Sequence, residues 1–418
     1  MSERVVVGVG GGIAAYKSCE LIRRLKEGGS DVRAVPTEAA LRFVGAATFE
    51  ALSGHPVDTG VFERVDEVQH VRVGKEADAL VIAPATADLI ARLAGGFADD
   101  LLTATALVAT CPVVLAPAMH TEMWLNPAVK DNVETLRRRG VVVLEPASGR
   151  LTGSDSGPGR MLEPAQIADA ARAVVAGWRP SRALEGRRVV VTAGGTRERL
   201  DPVRYLGNFS SGRQGFALAE AAAQAGAEVT LVAAATDELP TPAGTTVERV
   251  ESARELEEAT RRAAAGADAV LMAAAVADVR PAAQAEAKLK KSAGGDALAS
   301  IELQENPDIV RGLVAARKDG ELPAGVRIVC FAAETGDETA SAREFGARKL
   351  KAKGADLIMV NEVGEGGAFG SADNEGWLMR PDPEGGEPIV AEVPRGPKLL
   401  VAGRIVEELA GLLDGSND

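Results

Sequence analysis

The chain has 418 residues, 46% hydrophobic and 26% charged, a globular composition with material for two or three domains, which excludes a disordered protein. Its net charge of −13 argues against a nucleic-acid or anionic-membrane partner, so any anionic ligand must be gripped locally. Cys19, Cys111 and Cys330 form an odd count without metal spacing, each inside an apolar stretch, which speaks against disulfides and a cysteine-bound zinc.

The opening MSERVVVGVGGG enters a strand pattern at once, without an apolar leader, and no apolar run approaches membrane-spanning length; a cytoplasmic protein is expected. Residues Arg4 to Val9 read as a strand, Gly10 to Gly12 as a turn, Ile13 to Lys26 as a helix and Val32 to Val35 as a second strand, which makes a βαβ unit. Short apolar runs follow at ADALVIAPA (77–85), CPVVLAPAM (111–119) and GVVVLEPA (140–147), separated by helical segments. The periodicity predicts a doubly wound parallel sheet. A Gly-, Pro- and Arg-rich stretch at 177–186 reads as a linker between a domain over 1–176 and another over 187–418. RRVVVTAGGT then repeats the strand and Gly-rich turn, and GAEVTLVAA, ADAVLMAAAVAD, GVRIVCFAAET and ADLIMVNEV continue an α/β pattern. The predicted fold class is α/β, with two doubly wound, Rossmann-like domains. In such sheets ligands bind beyond the carboxyl ends of the strands, so one site is expected in each half.

A Gly-rich turn entering a helix presents free backbone N–H groups to an anion. The dinucleotide fingerprint wants a third glycine where Ile13 stands and an acid near Val35, Pro36 and Thr37, so a nicotinamide dinucleotide is disfavoured. A phosphate received by a hydroxyl such as Thr37 fits better, as in an FMN site, while a turn that merely reverses the chain explains the glycines equally well.

Taken together, GGGIAAYK (10–17), PTEAA (36–40), APATADLIARLAGGFADDLL (83–102), APAMHTEMW (116–124) and GPGRM (157–161) resemble the flavin-dependent phosphopantothenoylcysteine decarboxylases. TAGGTRERLDPVRYLGNFSSGRQG (192–215), AAAVADVRP (273–281), KLKK (288–291), NPDI (306–309), CFAAET (330–335) and AFGSADNEG (368–376) resemble phosphopantothenate–cysteine ligase. The resemblance covers nearly the whole chain in family order. It implies a bifunctional enzyme of coenzyme A biosynthesis whose first domain is flavodoxin-like and binds FMN. The second half would condense 4′-phosphopantothenate with cysteine through an acyl-cytidylate made from CTP, and the first would decarboxylate the product to 4′-phosphopantetheine.

For the ligase half the resemblance implies CTP contacts at Asp278, Lys288, Phe331, Lys349, Lys353 and the run Asn306, Pro307, Asp308 and Ile309. Read without it, Arg343 to Lys353 is a solvated helix face. Lys288 is the candidate for stabilising charge on the α-phosphate, since an ammonium on a flexible stem can follow it. A helix opening near Gly212 would leave Ser210, Ser211 and the first N–H groups as an anion nest for the phosphate of phosphopantothenate, with Arg204 one helical turn away in sequence; plain helix capping is the competing reading. Asn208 matches the asparagine that holds the activated acyl group. The nucleotide implies Mg²⁺, which keeps several waters and few protein ligands, and no ligand is assigned to it.

For the decarboxylase half the resemblance implies flavin contacts at Gly11, Gly12, Ile13, Thr37, Pro84, Ala85 and Thr86. His70, with Asp66 and Glu67 nearby, matches the essential histidine and would be an oriented base. Two departures fall in this half. His120 stands where the family has an asparagine for the substrate carboxylate, and the flap over the site, Thr152, Gly153 and Ser154, has Gly153 where a cysteine usually delivers the last proton. A retuned decarboxylase drawing that proton from His120, a hydroxyl such as Ser154, or water is one expectation. A non-catalytic flavin-binding scaffold for the ligase is the alternative, and a decarboxylase of peptide cysteines would leave the second half unexplained. The resemblance further implies a homo-oligomer built from trimers of the first half and dimers of the second.

Overall fold

The computed structural model describes residues 2–60, 68–151, 155–289, 300–337, 340–362 and 371–415. They form two compact units, residues 1–180 and 181–418. No described helix is long and apolar enough to cross a membrane.

The first unit is a five-stranded parallel sheet of β1 (Arg4–Val9), β2 (Asp31–Pro36), β3 (Ala79–Ala85), β4 (Val113–Pro117) and β5 (Val142–Val143), in the order β2-β1-β3-β4-β5. That is the flavodoxin-like order expected of the first half. β3 is buried at all 7 positions, as a parallel strand covered on both faces must be. Helix α1 (Lys17–Glu27), entered through a 3₁₀ turn at Ile13–Tyr16, buries Ser18, Leu21, Ile22 and Leu25, the i, i+3, i+4, i+7 stripe of its sequence. The other helices are α2 (Glu38–Leu41), α3 (Ala46–Ser53), α4 (Gln69–Glu76), α5 (Ala87–Gly95), α6 (Leu101–Val108), α7 (Thr121–Trp124), α8 (Pro127–Arg138) and α9 (Pro164–Val175). α1, α3 and α9 pack together on one face, while Val73, Leu89, Ile90, Leu101, Val133 and Leu136 close a core on the other. The run at 140–147 pairs over two residues only, because the chain turns there into an antiparallel hairpin of β6 (Ala147–Arg150) and β7 (Ser156–Arg160). The ends of the stretch 177–186 are anchored: Trp178 and Leu184 are buried, their N–H groups donating to Ala173 and Ala225.

The second unit has β8 (Arg188–Ala193), β9 (Arg197–Asp201), β10 (Arg204–Gly207), β11 (Glu228–Ala233), β12 (Thr245–Arg249), β13 (Ala269–Met272), β14 (Val279–Pro281), β15 (Leu303–Glu305), β16 (Arg327–Glu334), β17 (Leu357–Glu362), β18 (Asp373–Arg380) and β19 (Ile389–Pro397). Its main sheet runs β12-β11-β8-β13-β16-β17-β18-β19. The first six are parallel and, numbered by appearance within this sheet, follow the Rossmann order 3-2-1-4-5-6; β18 and β19 add an antiparallel edge that the periodicity does not reveal. Helices α10 (Arg213–Gln224) and α14 (Lys398–Asp414) cover one face. α11 (Ala253–Ala264), α12 (Ile309–Lys318) and α13 (Ala342–Lys353) close the other around Leu256, Leu313 and Leu350. β9 pairs with β10, and β14 with β15, in small hairpins outside the main sheet.

Candidate functional sites at two switch points

In the first unit the strand order reverses between β1 and β3, which leaves a crevice beyond their carboxyl ends. Gly10 donates its N–H to the Pro84 carbonyl at 3.0 Å. A Cβ on Gly10 would stand 2.5 Å from that oxygen, and one on Gly11 would stand 2.3 Å from the Ala39 Cβ. Only glycine lets the turn lie between the end of β3 and α2, so bare backbone faces the cleft. The cavity there has a volume of about 300 Å³, and Gly11, Thr37, Thr86 and His120 line it. Such a backbone cradle at a switch point fits a flavin phosphate.

The remaining flavin candidates sit around this cleft in other ways. Ile13 is 73% exposed on the 3₁₀ turn that follows Gly12. Pro84 and Ala85 are buried, and the Ala85 carbonyl accepts from Ala118, so these two can offer a ligand only backbone. The Thr37 hydroxyl donates to the Val9 carbonyl and accepts from Ala40, while that of Thr86 accepts from Leu89; both begin helices. Capping and ligand binding therefore draw on the same hydroxyls. Two charged residues escaped the motif reading: Asp88 and Arg92 also line the cavity, and Arg92 pairs with Asp99 and Asp100. Their i, i+4 spacing in ATADLIARL was the available signal.

His120 begins α7, exposed, at the mouth of this cavity. The β6–β7 hairpin reaches the same place, for Met119 donates its N–H to the Gly159 carbonyl at 2.9 Å. The tip residues Thr152, Gly153 and Ser154 lie outside the described residues, as do Asp66 and Glu67. His70 is half-buried on α4, which packs on α6, and is not among the residues lining the cavity. His55 is tied to Asp31 at 2.7 Å, a structural tether.

In the second unit the order reverses between β8 and β13, and the loops after both strands meet. Gly195 N–H donates to Ala235, Thr196 N–H to Ala275, and the Asn208 side chain to the Val276 carbonyl at 3.0 Å. Asn208 thus stands at the crevice. Gly212 begins α10 with φ +76, a left-handed value that favours glycine, close to the opening expected for this helix. Ser210 and Ser211 hydroxyls accept from the Gly212 and Arg213 N–H groups in the turn that enters α10, whose N-cap, Gly212, makes no side-chain capping bond. Arg204 lies on β10 of a strand hairpin, which Asp201 turns from β9. Its guanidinium reaches the Asp201 carboxylate at 3.3 Å and the Leu289 carbonyl at 3.2 Å. Lys288, exposed, immediately precedes Leu289; Lys290 and Lys291 lie outside the described residues.

Most of the nucleotide residues that the resemblance implies lie near the ends of β13 and β16, whereas Lys288 is beside the β9–β10 hairpin. Asn306 donates its N–H to the Asp278 carbonyl and its amide to Ala277, both at 2.8 Å. Asp308 caps α12 and pairs with Lys353 at 2.6 Å, and Lys349 pairs with Glu334 at 2.9 Å. Both lysines therefore carry carboxylate partners. Burial opposes ionisation of Asp308, but Lys353 and the Arg311 N–H outweigh it and hold its carboxyl below the ordinary aspartate value. Phe331 is half-exposed on β16, whereas Ile309 is buried in the core, so that any ligand contact from Ile309 is through backbone. Beside Phe331, burial pushes the Cys330 thiol up to about 12. Among the described residues no three His, Cys, Asp or Glu side chains gather as a metal site, and no Mg²⁺ ligand is assigned.

The Flavoprotein family pattern matches residues 1–176, and that of the DNA/pantothenate metabolism flavoprotein C-terminal domain matches 184–412. The coenzyme A biosynthesis bifunctional protein CoaBC of Mycolicibacterium smegmatis is 56% identical over 417 residues, covering 98% of each chain. A solved C-terminal domain of a CoaBC protein is 34% identical, covers 56% of this chain and all of its own, and has a TM-score of 0.44. A solved PPC decarboxylase mutant is 32% identical over 42% of this chain and 98% of its own, with a TM-score of 0.39.

Proposed function

Since this chain belongs to the CoaBC family of bifunctional coenzyme A biosynthesis proteins, with a flavoprotein decarboxylase unit and a ligase unit, we propose that it makes 4′-phosphopantetheine in two steps. The second unit joins 4′-phosphopantothenate to cysteine through an acyl-cytidylate formed from CTP, and the first decarboxylates 4′-phosphopantothenoylcysteine with FMN. One observation carries the reading: a single chain, aligned end to end with a bifunctional relative, presents a ligand crevice at the switch point of each of its two sheets.

In the ligase unit Lys349 and Lys353 exchange Glu334 and Asp308 for triphosphate oxygens, and Asp278, Phe331 and the run Asn306, Pro307, Asp308 and Ile309 frame the nucleotide. Asn208 holds the acyl group at the crevice and Lys288 stabilises charge on the α-phosphate. Arg204, Ser210, Ser211 and Gly212 receive the substrate phosphate. Mg²⁺ arrives with the nucleotide, held chiefly by phosphate oxygens and water.

In the first unit FMN supplies the electron sink that carboxylate loss requires. Gly11, in the cavity lining, and Gly12, which follows it at the start of the 3₁₀ turn, give backbone to its phosphate, with Thr37 and Thr86 in the same lining. His120, which lines the cavity, donates a hydrogen bond to the substrate carboxylate and returns a proton in place of the flap cysteine. His70, apart from the cleft lining, serves a site completed by another subunit, and the exposed Ile13 and Tyr16 fit such an assembly.

The test is anaerobic incubation of the full chain with FMN and 4′-phosphopantothenoylcysteine, following flavin absorbance and product mass. Saturated 4′-phosphopantetheine with oxidised flavin is expected, and His120→Asn should slow its formation. Accumulating enethiol with reduced flavin would mark Gly153 as a lost half-reaction, and no consumption at all would make the first unit a scaffold for the ligase.

A further inference from the structure

Asp201, the last residue of β9, is 1% exposed, and its carboxylate is fully engaged. One oxygen accepts the N–H groups of Val203 at 2.8 Å and Arg204 at 2.9 Å, which closes the β9–β10 turn. A turn needs no more than that. The other oxygen reaches a segment 88 residues away, accepting the Leu289 N–H at 3.2 Å, and holds the Arg204 guanidinium at 3.3 Å. The same guanidinium donates to the Leu289 carbonyl at 3.2 Å, so the residue after Lys288 is gripped at both its N–H and its C=O. Ala285 N–H, donating to the Leu200 carbonyl at 3.0 Å, sets the register of that segment along β9.

We propose that Asp201 is a positioning residue of the ligase reaction, fixing the backbone from which Lys288 reaches the nucleotide and seating Arg204 with the same carboxylate. This rests on the assignment of Lys288 and Arg204 to the ligase site. The chemistry requires aspartate. A long lysine in an exposed stretch has many rotamers to lose, and a fixed stem removes the backbone part of that cost before the nucleotide arrives. Asparagine offers a single acceptor oxygen, so it can keep the turn, but its NH₂ then faces the Leu289 N–H and the guanidinium, donor against donor. The substitution therefore separates the clamp from the hairpin that carries it.

The experiment uses the full chain with Asp201→Asn, Lys288→Ala and the double variant, assayed for CTP-dependent formation of 4′-phosphopantothenoylcysteine. Loss of a hydrogen bond to a buried charge predicts a kcat about ten- to a hundredfold lower for Asp201→Asn. The KM for CTP should stay near wild type, the melting temperature should fall by roughly 3–10 °C as the bonds to the buried carboxylate are lost, and the Leu289 amide should exchange faster. Because Asp201 acts on kcat through Lys288, the kcat of the double variant at saturating 4′-phosphopantothenate should be little lower than that of Lys288→Ala alone, while the loosened Arg204 shows as a raised KM for 4′-phosphopantothenate. A kcat for Asp201→Asn within twofold of wild type while Lys288→Ala is impaired, or losses that multiply fully, overturns the proposal. Unimpaired Lys288→Ala would instead remove the assignment of Lys288 and the positioning with it. If Asp201→Asn does not fold, the wild-type Leu289 amide decides: protection of about tenfold or more over an unstructured peptide supports the clamp, and free exchange overturns it.

Discussion

Gly11→Ala probes the flavin cradle without touching a polar group. The added Cβ would stand 2.3 Å from the Ala39 Cβ and 3.0 Å from the Ala39 carbonyl carbon, whereas carbons rest at about 3.5–4.0 Å. Gly11 is not among the glycines with positive φ, so backbone strain adds nothing and the cost is steric. Overpacking of this kind costs about 1–3 kcal/mol. For a unit of this size that lowers the melting temperature by roughly 3–10 °C. Pushing α2 outward also moves Thr37, which begins it and lines the cleft, so FMN affinity should fall with stability. The assay is calorimetry of the flavin-free protein followed by titration with FMN. Ala39→Gly in the Gly11→Ala background, compared with Ala39→Gly alone, should restore part of both losses by removing the opposing methyl. A variant that melts within about 1 °C of wild type and binds FMN equally would refute the reasoning, because the turn would then have room that the packing denies it.

Two further outcomes follow from charge and burial in the second unit. The depressed carboxyl of Asp308 contributes stability that is fully present above its unfolded value of about 3.9 and is lost as pH falls through the lower folded value; acid unfolding of wild type should therefore be steeper below about pH 4 than that of Asp308→Asn. Cys330, buried and with its thiol pushed up to about 12, should resist alkylation in the native protein at pH 8 and react only after unfolding, as peptide mass analysis would show; native labelling there would place the thiol at the surface.

Both doubly wound units and the Gly-rich turns were legible because parallel strands buried on both faces leave continuous apolar runs, and amphipathic helices leave stripes such as Leu21, Ile22 and Leu25; the strand order came only with the structure. The antiparallel edge of β18 and β19 was not, since its half-exposed strands mix polar and apolar residues and pair only through their neighbours. Short hairpins such as β9–β10 rest on one turn residue and leave no apolar run, which is why the sequence did not show them.

What the sequence determined by itself is what local chemistry can carry: which stretches form strands and helices, where glycine must stand, and which family motifs occur in order. Tertiary structure decided which of those residues meet. It brought Gly11, Thr37, Thr86 and His120 to one cavity from four separate strand ends, left His70 on another helix, and gave Lys349 and Lys353 carboxylate partners from β16 and from the start of α12. The grip of Asp201 on Leu289, across 88 residues, exists only because the chain folds back, and side-chain geometry at such a distance has no signature in spacing.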